Sequence, residues 1–274
     1  MLSVNTNPGA LAALQNLNST NMAMNEVQNR INTGLKVATA KDNGSVYAIA
    51  QNLRADLAGL NASKQSLDRG ISTVDVALAA GEAVSNLLIT MKEKAVAAAD
   101  TSLDANSRSA LQEDFDSLRD QISNIVSNAE FNGTNMIKNG GVSVSAIVND
   151  DGSQTLTVSA EDLSLAGSNI TLTAASTFTT ATQAAAVVSA IQTSLDNVNK
   201  ALARMGTGSK SLETQRAFAN KLSDTIEVGI GNLVDADMAK ESARLQSLQV
   251  KTQLGVQALS IANQAPGVIV SLFK

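Results

Sequence analysis

The sequence predicts a mainly α protein: an elongated antiparallel helical bundle of coiled-coil type with a small β-hairpin segment. Three observations predict it. Two long segments, far apart in the chain, repeat apolar residues at alternating spacings of four and three, the period of a coiled-coil seam. Proline occurs twice in 274 residues, so little interrupts a helix. A Ser/Thr-rich stretch at about 140–180 switches to the period-two alternation of strands.

The elements follow in order. Asn7 is placed to cap a first helix, and Pro8 suits its first position. Leu11, Leu14, Leu17, Met24, Val27 and Ile31 fall on one stripe until Gly34 interrupts it. Asp42-Asn43-Gly44-Ser45 reads as a turn or joint. Leu53, Leu57, Leu60, Lys64, Leu67, Ile71, Val74 and Leu78 then mark a seam broken only by Lys64, a lysine expected to snorkel. This helix is expected to run to about Ala99, a length of roughly 80 Å at ~1.5 Å per residue. A globular domain of this chain length would be far shorter, so a rod is expected.

A turn at Asp100–Asp104 reverses the chain, with Asp104 as the cap of the next helix. Leu111, Phe115, Leu118, Ile122, Ile125 and Val126 make that shorter helix amphipathic, and Asn132-Gly133 is expected to close it. Val142, Val144, Ala146 and Val148 alternate with Ser143, Ser145 and Ile147. Asn149-Asp150-Asp151-Gly152 is a turn, and Leu156 and Val158 alternate with threonines, which makes a hairpin. Ile170–Thr173 is a candidate third strand. Ile191, Leu195, Val198, Leu202 and Met205, then Leu222, Ile226, Gly229 and Leu233, carry the second long helix. A charged stretch from Asp235 to Arg244 leads into a seam of small residues, Leu245, Leu248, Thr252, Gly255, Leu259 and Ala262, where backbones can approach closely.

Composition excludes several functions. There is no Cys and no His, so no disulfide framework, no zinc–thiolate site and no nucleophile–histidine machinery. The chain reads as a non-enzyme without catalytic, cofactor or metal residues, and Asp150-Asp151 reads as a turn rather than a calcium site. The net charge is −5, and no basic residue lies between Lys138 and Lys200, which argues against nucleic acid. Membrane insertion is not expected: residues 252–273 are uncharged but carry Gln253, Gln257, Asn263, Gln264 and Pro266. No secretory signal is apparent at the start, where the first basic residue is Arg30, so ordinary export rules predict a cytoplasmic protein.

The ends are the informative anomaly. Residues 1–29 contain one charge, Glu26, and residues 252–274 contain one, Lys274. The two seam-bearing long helices can bury each other, so the middle is expected to fold by itself. Charge-free terminal helices suit burial between many subunits, since unpaired buried charge is costly. A polymer subunit is expected, with its ends paired in the assembly core.

Several motifs then become familiar. Val27–Ile49 (VQNRINTGLKVATAKDNGSVYAI) and Ile122–Asn132 (ISNIVSNAEFN) resemble the N-terminal part of bacterial flagellin. Asn232–Ser242 (NLVDADMAKES) and Leu259–Pro266 (LSIANQAP) resemble its C-terminal part, in a style similar to alphaproteobacterial flagellins. The resemblance covers about 1–140 and 185–274. It implies a structural subunit of the extracellular flagellar filament that polymerises with itself, with other flagellins as further neighbours. It also implies export through the flagellar type III apparatus without a cleaved signal peptide, an export chaperone, and hook-junction and cap proteins as partners. The implied domains are an inner D0 from 1–42 plus 235–274 and a D1 from 43–234, with no outer D2 or D3. The alternative within the same system is a hook–filament junction protein or other axial protein. A chemoreceptor-type signalling coiled coil would lack the β segment.

Residue expectations follow from the same resemblance. The D0 assembly seam is expected at Leu11, Leu14, Leu17, Met24, Ile31, Leu245, Leu248, Leu259 and Ala262. The D1 seam is expected at Leu53, Leu57, Leu60, Leu67, Ile71, Val74, Leu78, Ile191, Leu195, Val198 and Leu202. Flagellins sensed by the vertebrate Toll-like receptor carry a stretch similar to QRVRELAVQ. Positions 89–97 here read ITMKEKAVA, keeping Glu93 but with Thr90 for arginine, Lys94 for leucine and Ala97 for glutamine. Weak or absent receptor activation is expected. Thr171, Thr173, Ser176 and Thr177 are candidate O-glycosylation positions, as some flagellins are so modified.

Overall fold

The computed structural model describes residues 6–173 and 175–271, the helical residues 265–271 by backbone alone. Its elements are α1 (Pro8–Thr33), α2 (Gly44–Ala98), α3 (Ala105–Asn128), β1 (Val144–Ile147), β2 (Thr155–Val158), α4 (Ala181–Val234) and α5 (Met238–Ser271). The chain divides into two compact units. One takes the residues up to 55 and those from 225 onward, and the other takes 56–224.

In the 56–224 unit, α2 buries Thr73 beside a continuous seam made by Leu60, Ser63, Leu67, Gly70, Val74, Ala77, Gly81, Val84, Leu88, Met91, Ala95 and Ala98. The seam's spacing alternates three and four without a break. It agrees with the expected seam at Leu60, Leu67 and Val74, and departs from it by one residue at 64, 71 and 78. At those steps a small residue, Ser63, Gly70 or Ala77, holds the core position, while Ile71 and Leu78 pack beside it, partly buried. Lys64 is half-buried, and its Nζ donates to Ser223 Oγ at 3.3 Å across to α4. By length and composition alone α2 could cross a membrane; its buried face packs into this core.

Small residues sit where the hairpin arrives, with its backbone at Gly59 and a side chain at Gly208. A Cβ on Gly59 would lie 2.2 Å from the Asp150 carbonyl oxygen, and one on Gly208 would lie 2.7 Å from Val158. Ser63 Oγ donates to Ile147 O, Ser66 Oγ accepts from Ile147 N, and Gln215 Nε2 donates to Val148 O. The hairpin therefore lies along the sides of α2 and α4. Its strands pair antiparallel, Val144 opposite Val158 and Ile147 opposite Thr155. Further along α2, α3 takes the hairpin's place and contributes Phe115, Ile122 and Val126. Phe115 meets Phe178 edge to face, with centroids 5.2 Å apart.

Two expectations are corrected here. Ile170–Thr173 is not a third strand. Ile170 makes a single bridge to Leu165, and Thr171 N donates to Ser194 Oγ of α4, so a helix side chain takes the bond a strand partner would need. Ile170 and Leu172 are nonetheless fully buried. Helix α3 ends at Asn128, before Asn132-Gly133. That pair, with φ of 49° and 80°, forms the next tight turn, in which Phe131 and Thr134 exchange backbone hydrogen bonds.

Candidate assembly interface

In the terminal unit, α1 pairs with α5. Asn7 closes the start of α1, its Oδ1 accepting from Ala10 N at 3.1 Å, and Gly34 ends the helix at φ 71°. The segment from Gly34 on is tied to the junction of α4 and α5. Lys36 N donates to Val234 O at 2.7 Å, and Ala236 N to Gly34 O at 2.8 Å. Asp42 then gathers the amides of Ala38 and Thr39 and the Thr39 hydroxyl. The Thr39 amide hydrogen bond is the main reason its carboxyl is held below the ordinary value.

The facing positions are regular. On α5 the least exposed residues are Glu241, Leu245, Leu248, Thr252, Gly255, Leu259 and Ala262, again at alternating fours and threes. On α1 the buried and half-buried set includes Ala10, Ala13, Leu17, Met24, Val27 and Ile31. Leu17 meets Gly255, its Cδ1 lying 3.3 Å from where a Cβ would stand. Arg30 binds Glu26 on its own helix and Glu241 on α5, the latter at 3.3 Å. Because Arg30 meets Glu241 and Leu17 meets Gly255, the pair is antiparallel.

The α1 stripe thus splits. Leu17 turns toward α5 and Met24 and Ile31 are half-buried, while Leu11 and Leu14 are exposed, Leu11 by 63%. With Met22, Val250, Leu254, Val256 and Ile261 they leave an outward apolar surface on a helix pair whose charges are confined to Glu26, Arg30, Lys240, Glu241, Arg244 and Lys251. Isolated exposed apolar residues are ordinary, but a concentration of them marks an interaction surface. Glu241 is the residue that sequence reasoning missed. It is buried, and its Oε2 has no hydrogen-bond partner among the described residues. Its place one step before Leu245 in the same spacing was the available signal.

The remaining candidates lie in the other unit. Leu57 is half-buried, and Ile191, Leu195 and Val198 are buried in the core; Leu202 is half-buried against Gly81. Leu53, of the terminal unit, is half-buried. Thr90 folds its hydroxyl onto Asn86 O, Glu93 and Ala97 are exposed, and Lys94 binds Asp114 of α3 at 2.7 Å. That bond raises the Lys94 ammonium above its ordinary value. Thr171 Oγ1 donates to Ala190 O, Thr173 and Ser176 share a hydrogen bond, and Thr177 is exposed.

Residues 4–141 match the family model of the bacterial flagellin N-terminal helical region, and residues 188–273 that of its C-terminal helical region. The chain is 55% identical to flagellin FljM of Caulobacter vibrioides over 272 residues, covering 99% of this chain and 98% of the relative. It is 37% identical to a flagellin of Brucella melitensis, with both chains fully covered. Among solved structures, Bacillus cereus flagellin aligns with 56% of this chain and 88% of its own at TM-score 0.50 and 21% identity. A Vibrio parahaemolyticus chain assigned as a flagellar hook-associated protein aligns with 71% of this chain and all of its own at TM-score 0.58 and 15% identity. At these identities the two structures speak for the fold alone.

Proposed function

The chain belongs to the bacterial flagellin family, and from that premise we propose how its two units serve the filament. The protein is a structural subunit that polymerises with copies of itself into the extracellular flagellar filament for swimming motility. The observation that carries this is that both halves of the flagellin signature are present in order, at the two ends of one chain. A junction protein shares the fold, so the fold does not choose between them; the matches along the sequence favour the filament subunit.

The paired ends, 1–42 with 235–274, are the proposed inner D0, and 43–234 the proposed D1. What supports the reading is the single charge in each of 1–29 and 252–274 and the outward Leu11, Leu14, Leu254 and Ile261. Neighbouring subunits would remove these side chains from water, each burial contributing about 1.5–3 kcal/mol. Export through the type III apparatus without a cleaved signal, an export chaperone, and contact with cap and hook-junction proteins belong to the same reading, by family analogy. Seeding and salting-out of the purified chain, followed by electron microscopy, tests the whole. Long tubes of uniform width are expected, and persistent monomers would overturn it.

Two finer proposals concern the D1 surface. Thr90, Lys94 and Ala97 make 89–97 a poor receptor epitope, and Lys94 is further engaged by Asp114. A receptor-reporter assay is expected to stay near background; strong signalling would refute this. Of the hydroxyls considered for O-glycosylation, Thr177 is exposed, whereas Thr171 and Thr173 hydrogen-bond within the fold, so Thr177 is preferred. An intact filament mass equal to that of the bare sequence would dispose of it.

A further inference from the structure

We propose that Asn7 is the register clip of the terminal helix pair, closing α1 with its side-chain oxygen and catching, with its side-chain nitrogen, an α5 carbonyl that Pro266 leaves without its intrahelical donor. The idea rests on the helix pair itself and on the filament only for its test.

The chemistry starts in α5. The helix runs unbroken through Pro266 to Ser271. A helical carbonyl accepts from the amide four residues on, and proline has no amide hydrogen. The Ala262 oxygen therefore lacks its ordinary donor. Asn7 Nδ2 lies 2.6 Å from that oxygen, 255 residues away in sequence. The same carboxamide uses Oδ1 to accept from Ala10 N at 3.1 Å. Both ends of the amide are thus committed, one to each helix. Serine or aspartate could supply the cap, but neither reaches across with a donor from this position. The approach is close as well: a Cβ on Gly9 would stand 3.9 Å from the Ala262 Cβ.

The rest of the seam explains why a clip is useful. Gly255 meets Leu17 and Ala262 comes close to Gly9, and small apolar surfaces slide past one another at little cost. Apolar burial is non-directional, whereas a hydrogen bond to one particular carbonyl is not. Arg30–Glu241 pins the far end of the pair, and Asn7–Ala262 pins this one.

The chain has no cysteine, so an engineered pair reads the register cleanly. The Leu17 Cβ lies 3.8 Å from where a Gly255 Cβ would stand, the separation a disulfide requires. The experiment oxidises Leu17→Cys/Gly255→Cys full-length protein in seeded filaments, with Asn7→Ser, Pro266→Ala or both. Asn7→Ser alone, and Pro266→Ala alone, are each expected to lower cross-linking at least about twofold, and the double variant no further. Unchanged yield in Asn7→Ser, or a further drop when it is added to Pro266→Ala, would overturn the proposal. If Asn7→Ser fails to assemble, rescue by Pro266→Ala supports the clip, and failure of both variants overturns it. Failure of the parent protein to form filaments would instead refute the filament reading, not the clip.

Discussion

Arg108 shows how one side chain holds a reversal of the chain. It is buried between α2 and α3, and its guanidinium donates to the carbonyls of Ala98, Asp100 and Leu103. These carbonyls belong to a helix end and a tight turn, where the regular intrahelical donors run out. Asp104 does the complementary work, accepting from Ser107 N at 2.9 Å to start α3. This amide bond, foremost, holds the Asp104 carboxyl below its ordinary value near 3.8, and similar turn amides at Ser102 and Ser153 do so for Asp100 and Asp151. A carboxyl lowered on folding adds stability above its ordinary value, and that stability is lost as pH falls through the lowered one. With no histidine in the chain, the stability of the unit holding these turns is expected to stay flat from about pH 8 to pH 5 and to fall below about pH 4. Asp104→Asn keeps a capping oxygen but cannot titrate. Urea unfolding followed by circular dichroism should therefore show little change at neutral pH and a shallower acid loss. An unchanged acid slope would remove Asp104 from this account.

At the scale of elements, glycines separate two kinds of helix position. Gly59 faces the hairpin turn, where backbone cannot give way cheaply, and Gly206 in α4 has nothing within 4 Å of an added Cβ. Gly59→Ala is expected to destabilise the core by about 1–3 kcal/mol, since the Asp150 peptide must shift. Gly206→Ala is expected to stabilise it by about 0.5–1 kcal/mol through helix propensity. Opposite shifts in the urea midpoint would bear this out; shifts of equal sign would not. The same contrast explains which parts of the helices were legible beforehand. Long helices and caps follow from local spacing, and Asn7 and Asp104 cap as their types predict. The register of the α2 seam was half legible, because Ser63, Gly70 and Ala77 are too small to stand out as seam residues, and Ser63 and Gly70 are covered by the distant strand β1. Ile170–Thr173 has strand composition, yet only Ser194 of α4 decides where its amides go.

Across the whole chain, burial is distributed unequally. The 56–224 unit has one contiguous core from Leu67 to Leu212, while among the described residues α1 and α5 bury only Val27, Glu241 and Leu248. Each ordered backbone residue costs about 1–2 kcal/mol, which one helix face covered by one partner does not offset. The proposed dependence of the terminal unit on neighbouring copies rests on this imbalance and on the scarcity of charge at the ends, one charge in 1–29 and one in 252–274. Which of its leucines face inward was not legible, since Leu14 and Leu17 share one stripe on paper and only the partner helix divides them. Limited trypsin digestion tests the consequence. Lys36, Lys41, Lys240, Arg244 and Lys251 are exposed in the terminal unit. Monomers should lose these ends rapidly and leave a resistant helical fragment that retains the α2–α4 core. Filaments should protect the ends by at least about tenfold in rate, because cleavage follows the open population, and packing between subunits lowers it. If the core were cut as fast as the ends, its independence would fail. If filaments were trimmed as fast as monomers, the terminal helices would not be the surface on which subunits meet.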